Sequence, residues 1–159
     1  MEIKIETAGV EESDVVYQLT KQAFQDYLGP AFSSLVPALQ ESKADVVADI
    51  KNKEVLIAYV GQEAAGSVRF YALDDGEYHL GRLGVLDKFK GQNIGKKLIK
   101  EVEARIKRLG GQQLTLISAY SKKKLLHFYQ RLGYQIAEIR EDEDYTRVKL
   151  IKQLSIENG

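Results

Sequence analysis

The sequence predicts a mixed α/β (α+β) fold: a mostly antiparallel central sheet of about seven strands with a central parallel pair, flanked by about four helices. Three observations lead there. Short apolar runs rich in Val, Ile, Leu and Tyr recur along the chain with strand-like spacing. Between them lie segments whose apolar residues return every three or four positions. In the middle of the chain a strand, a helix and a strand follow one another, an order that joins parallel neighbours by a crossover. At 159 residues the chain has the length of one domain, so residues 1–159 are expected to form one domain.

The elements follow in order. IKIET opens as a short alternating strand. From Glu11 to Tyr27 the positions Val16, Leu19, Ala23 and Tyr27 repeat at helical spacing, and Gly29, Pro30 and Pro37 then break the pattern. A more polar helix is expected from Ala38 to about Lys51. EVLIAYV and AAGSVRFYAL, separated by Gly61-Gln62-Glu63, read as a hairpin. After the turn DDGE, EYHLGRLGVL is the next strand. Ile94, Leu98, Val102, Ile106 and Leu109 then form one helical stripe that ends at Gly110-Gly111. QLTLISA is a nearly continuous apolar strand, the pattern of one covered on both faces. A short helix carrying Leu125, Phe128, Tyr129 and Leu132 stops at Gly133. YQIAEIR and YTRVKLIKQL, joined by the acidic turn EDED, complete the sheet.

Composition narrows the chemistry. Lys plus Arg total 23 and Asp plus Glu total 23, so no net field draws the chain to nucleic acid or an anionic membrane. With no cysteine, disulfides, thiolate nucleophiles and cysteine-held metals are excluded. Two histidines, His79 and His127, are too few for a histidine-rich metal site, and no metal is expected. The start MEIKIETAGV lacks the basic and apolar regions of a signal peptide. Runs such as VLIAYV are far shorter than the roughly 18 residues of a membrane span. A cytoplasmic, soluble protein is the expectation.

RLGVLDKFKGQNIGKKL joins a strand to a helix through a turn of lysines, glycines and asparagine. A helix start presents backbone N–H groups without partners and the positive end of the dipole. Glycine allows close backbone approach and asparagine tolerates a left-handed φ. The turn is therefore either a plain connector or an anion site. Gly81 and Gly84 in the preceding strand add the signature of a bulge or a close backbone approach.

With LLHFYQRLGY further on, this stretch resembles the GNAT superfamily of acetyl-CoA-dependent N-acetyltransferases, whose element order matches nearly the whole chain. The resemblance implies that Leu83, Gly84 and Val85 contact pantetheine and the acetyl carbonyl through their backbone. It implies that Lys90, Gly91, Gln92, Asn93, Ile94 and Gly95, with Lys96, cradle the pyrophosphate of acetyl-CoA, the expected cosubstrate. Two positions depart from the family pattern: Lys90 stands where Arg or Gln is usual, and Asn93 replaces the middle glycine.

Aminolysis of a thioester needs a base for the amine, a donor for the oxyanion and an acid for the leaving thiolate. The resemblance implies that Tyr129 is the acid. His79 falls where some members carry a glutamate base, and histidine suits proton abstraction near neutrality. Ile117 occupies the place of another family glutamate, so that variant is absent; Glu77 and Tyr120 are reserve bases. Each residue also has a plainer reading: Tyr129 packed with Phe128 and Leu132, and His79 held by a structural partner.

Lys122, Lys123 and Lys124 read as a solvated helix start, or as a contact to the coenzyme's ribose phosphate. Arg82 is expected to pair with a carboxylate. Tyr27, Phe32, Phe70 and Tyr71 lie where the family builds its acceptor pocket, and core packing accounts for them equally. The implied acceptor is a small-molecule or peptide amine, with a homodimer through the terminal strands also open. The alternative function is a non-catalytic acyl-CoA-binding sensor or partner subunit on the same fold.

Overall fold

A computed structural model describes residues 2–28, 37–142 and 145–154. Gly29, Pro30, Phe32 and the second half of EDED lie outside the described residues, as does the side chain of Tyr27. The strands are β1 (Ile3–Thr7), β2 (Glu54–Val60), β3 (Glu63–Ala72), β4 (Glu77–Val85), β5 (Gln113–Ala119), β6 (Gln135–Glu141) and β7 (Thr146–Gln153). The helices are α1 (Ser13–Leu28), α2 (Pro37–Gln40), α3 (Lys43–Asn52), α4 (Ile94–Arg108) and α5 (Lys123–Arg131). The seven strands form one sheet in the order β1-β2-β3-β4-β5-β7-β6. β4 and β5 are parallel, pairing Glu77 with Gln113, Tyr78 with Leu114 and His79 with Thr115. The pairs β1–β2, β2–β3, β5–β7 and β6–β7 are antiparallel.

The expected second helix is two. Ser42 interrupts it by capping α3: its Oγ accepts from the Asp45 N–H (3.1 Å), and Asp45 Oδ2 accepts from the Ser42 N–H (2.8 Å). These bonds, backbone first, hold the Asp45 carboxyl below its ordinary pKa. Pro37 opens α2, where a missing N–H costs no helical bond. In the β2–β3 hairpin Glu63 pairs with Val60, leaving Gly61-Gln62 as the turn, with Gly61 at φ 63°. The DDGE turn places Asp75 and Gly76 at φ 56° and 78°, and Glu77 N–H donates to Asp74 C=O (3.1 Å). That is the mirror-image hairpin turn which follows the twist of strands.

Internal contacts divide the chain into two compact units, Met1–Phe70 with Arg82–Glu101, and Tyr71–Gly81 with Val102–Gly159. In the first, Ala8, Val16, Leu19, Val46, Val55 and Ile57 form a buried cluster. A buried polar network lies in the same unit. Arg69, only 2% exposed, donates to both Glu41 oxygens (2.9 and 2.7 Å), to Asp49 Oδ2 (2.8 Å) and to Thr20 Oγ1 (3.2 Å). Burial works against its charge, but the bonds and charges of Glu41 and Asp49 outweigh that and raise its pKa.

In the second unit Val102, Ile106, Leu114, Leu116, Val148 and Leu150 are buried. Tyr134 OH donates to the buried Glu103 (2.8 Å), whose carboxylate also pairs with Lys152 (3.0 Å). Burial first, and then the Glu103 charge, hold the Tyr134 hydroxyl well above the usual tyrosine range. Leu109 does not join the α4 stripe: it follows the last helical residue and is 64% exposed. Ile117 is 48% exposed, so β5 is not covered throughout as its apolar run suggested. No helix among the described residues is long and apolar enough to cross a membrane.

Candidate functional site

The strand–turn–helix segment of the first unit carries the candidate residues Leu83 to Lys96. After Val85, a single 3-10 turn over Asp87–Phe89 leads to Lys90, whose N–H donates to Asp87 C=O (3.1 Å). Gly91 then takes φ 86° and Asn93 φ 63°, both left-handed. Asparagine is one of the few side chains that enters that region cheaply, which is why it can stand where a glycine was expected. α4 begins at the next residue, and its first bond is Lys97 N–H to Asn93 C=O (3.0 Å). The amides of Ile94, Gly95 and Lys96 precede any carbonyl one helical turn back. They add to the positive end of a helix fifteen residues long.

Gly91, Gln92 and Asn93 are exposed, and a Cβ built at Gly91 meets nothing within 4 Å. The turn is thus open to a ligand. Lys90 pairs with Asp87 (2.9 Å), so part of its charge is balanced locally; Lys96 is exposed on the first turn of α4. This combination of amides, dipole and lysines fits a pyrophosphate, the group the sequence resemblance implies.

The strand irregularity expected near Gly81 and Gly84 is centred between them. Arg82 adopts φ 55°, a left-handed residue inside β4, which interrupts the strict alternation expected from His79 to Val85. Gly84 has a separate role. A Cβ there would stand 2.9 Å from Ala23 Cβ and 3.3 Å from Phe24 Cε2, so its bare backbone accommodates α1. On β3, a Cβ at Gly66 would stand 2.9 Å from the Gly84 carbonyl oxygen. Leu86 N–H donates to Ala65 C=O (2.9 Å), so that amide is already committed.

Arg82 pairs with a carboxylate, as expected: its Nε lies 3.4 Å from Glu41 Oε2, from the residue that follows α2. Arg69 and its partners had no place in the sequence reading. The available signal was a lone arginine inside the apolar run GSVRFYAL.

His79 and Tyr129 belong to the second unit. His79 Nδ1 lies 3.0 Å from Thr115 Oγ1, and the Thr115 hydroxyl donates to Tyr78 C=O (3.5 Å). A hydroxyl that donates there accepts from Nδ1–H, an arrangement that places the ring's lone pair on Nε2. The Tyr71 ring stands 5.4 Å from the His79 ring, centroid to centroid. Phe70, by contrast, is 1% exposed and is core.

Tyr129 is buried in α5. Its ring lies 5.4 Å from that of Phe128 and 6.0 Å, edge-on, from that of Tyr134. On α5 the buried positions are Leu126 and Tyr129, with Leu125 and Phe128 only partly covered. Among the reserve residues, Tyr120 is exposed beneath the Lys123 ammonium (3.1 Å to the ring centroid). Among the described residues no group of three or more His, Asp or Glu is placed to hold a metal ion.

Comparison with known proteins gives a consistent picture. The profile described as acetyltransferase (GNAT) family matches residues 16–134. No curated protein sequence matches the chain. Among solved structures, the PaiA N-acetyltransferase of Thermoplasma acidophilum in complex with coenzyme A superimposes with a TM-score of 0.81 at 17% identity, covering 96% of this chain and 99% of that one. The ribosomal-protein-S18-alanine N-acetyltransferase of Escherichia coli gives 0.79 at 16% identity, with 99% of both chains covered. A GNAT family acetyltransferase from Elizabethkingia anophelis with acetyl-CoA bound gives 0.73 at 20%, covering 96% and 98%. At these identities the structural likeness speaks for the fold.

Proposed function

The chain belongs to the acetyltransferase (GNAT) family, and from that premise we propose that it is a single-domain N-acetyltransferase moving an acetyl group from acetyl-CoA to a primary amine. The observation that carries the proposal is the left-handed turn through Gly91 and Asn93 opening onto the first amides of α4. Neighbours of the same fold bind coenzyme A or acetyl-CoA, which supports the same reading.

In this account acetyl-CoA supplies an activated acetyl group, and the protein supplies position and protons. The turn from Lys90 to Lys96 holds the pyrophosphate through backbone N–H groups and lysine charge. The backbone of Leu83, Gly84 and Val85 lines the pantetheine arm, and the Val85 N–H or a neighbour donates to the acetyl oxygen. The acceptor nitrogen bonds to the acetyl carbon as the carbon–sulfur bond breaks. His79 Nε2, directly or through water, takes the proton that the nitrogen loses. The Tyr129 hydroxyl gives a proton to the departing sulfur and regains one from solvent. The products are an N-acetylated amine and a free thiol.

The test is incubation with acetyl-CoA and a panel of amines while following thiol release, with coenzyme binding measured separately by calorimetry. Acetylation of at least one amine is expected. Tight coenzyme binding with no acceleration of any amine would assign the chain to a sensor or partner role instead.

A further inference from the structure

We propose that Arg82 holds a carboxylate of the acceptor, so that the amine acetylated belongs to a small amino-acid-like molecule. The inference rests on the acetyltransferase reading and adds the chemistry of the acceptor. Within the first unit, Pro37, Gln40, Glu41, Asp45, Asp49 and Arg82 line a cleft of about 420 Å³, with Ala48 and Lys53 at its wall. Net charge does not reveal the ligand, because Arg69, Arg82 and Lys53 are matched by Glu41, Asp45 and Asp49.

What decides is which donors and acceptors are already used. Glu41 Oε1 accepts from Arg69, and Oε2 accepts from Arg69 and from Arg82 Nε. Asp49 Oδ2 accepts from Arg69, and Oδ1 pairs with Lys53 (3.3 Å). Asp45 Oδ2 accepts from the Ser42 amide. Among the described residues Arg82 hydrogen-bonds only through Nε, at 3.4 Å, while its charge also acts on Asp45; its side chain is 30% exposed. Neither terminal guanidinium nitrogen makes a hydrogen bond among the described residues, which leaves their N–H groups for a ligand. A planar pair of donors fits a carboxylate through two parallel charge-assisted bonds. To reach Glu41 or Asp49 a cationic ligand would have to displace Arg69, which is 2% exposed, or Lys53; otherwise it would meet only the exposed Asp45 carboxylate, on which the Arg82 charge already acts.

Two further features agree. Arg82 occupies a left-handed backbone state (φ 55°) that non-glycine side chains seldom adopt and that clusters at functional positions. It also directly precedes Leu83–Val85, the backbone proposed to hold the thioester. An acceptor anchored at Arg82 reaches that point only when amine and carboxylate are a few bonds apart.

The experiment measures thiol release from acetyl-CoA with the common L-amino acids, β-alanine and γ-aminobutyrate, each beside its carboxamide, for wild type, Arg82→Gln and Arg82→Lys. At least one carboxylate acceptor should exceed its amide about tenfold or more in kcat/KM, mostly through KM, as loss of a bidentate ionic contact implies. Arg82→Gln should shrink that ratio to about twofold, and Arg82→Lys should leave an intermediate value. An amide as good as its acid in wild type overturns the proposal, as does a preference that survives in Arg82→Gln. So does a wild type that binds acetyl-CoA yet acetylates no carboxylate. The wild-type acid-to-amide ratio decides even if a variant fails to fold. Acetyl-CoA binding measured without acceptor separates the two levels: its absence overturns the acetyltransferase reading itself.

Discussion

Gly84→Ala tests whether this glycine is required by packing within the first unit rather than by strand flexibility. The added Cβ would stand 2.9 Å from Ala23 Cβ and 3.3 Å from Phe24 Cε2. Carbon pairs prefer roughly 3.5–4.0 Å, so about 0.6 Å must come from moving α1 or β4. Overpacking of this kind costs about 1–3 kcal/mol. At a urea m-value of roughly 1.5 kcal/mol per molar, the midpoint falls by about 0.7–2 M. Ala23→Gly supplies the control. Alone it should cost about 1 kcal/mol for glycine inside a helix. Combined with Gly84→Ala it removes the nearest contact, leaving only the Phe24 ring, so the double variant should be more stable than the sum of the two by about 1 kcal/mol. Equilibrium urea melts followed by circular dichroism measure all four species. A single variant within 0.5 kcal/mol of wild type, or effects additive within about 0.3–0.5 kcal/mol, would refute the argument.

Other expectations address separate parts of the molecule. Arg69→Met leaves the Glu41 carboxylate buried beside Asp49 with its main cation gone; a loss of about 3–5 kcal/mol in urea melts is expected, and a loss below 1 kcal/mol would count against the network. Burial and the Glu12 bond push the Tyr59 hydroxyl up to about 12, and Tyr134 is raised in the same direction. The unfolded chain releases these protons near pH 10 while the folded one keeps them, so their stability contribution is complete below pH 10 and declines above it. Phenolate absorbance should therefore show at least two of the nine tyrosines titrating late or only on unfolding; nine equivalent tyrosines would contradict this. Tyr129→Phe should lower kcat about ten- to a hundredfold with coenzyme affinity unchanged, and an unchanged kcat removes its acid role.

The sequence shows the element order because each element announces itself locally. Val16, Leu19 and Ala23 give α1 its buried face, and Asp75-Gly76 marks a hairpin turn. The anion-type turn is legible for the same reason: Gly91 and Asn93 are residue types that enter left-handed backbone readily. Long-range choices are not visible in that way. That Gly84 makes room for Ala23 depends on how α1 meets β4, and the Arg69–Glu41 pair joins residues 28 positions apart. The split of the second helix could have been read from Ser42 followed by Asp45, a capping pattern at its proper spacing. The left-handed state of Arg82 carried no such signal, since arginine is an unexpected residue there.

The central claim is that the turn from Lys90 to Lys96 seats the pyrophosphate of acetyl-CoA. At 17.9 kDa the protein suits backbone amide NMR. In a titration with coenzyme A, the largest amide shifts should fall on Gly91 to Lys96 and on Leu83 to Val85, and pantetheine, which lacks the pyrophosphate, should move only the second group. Saturating coenzyme A that leaves the Gly91–Lys96 amides unmoved would contradict the account.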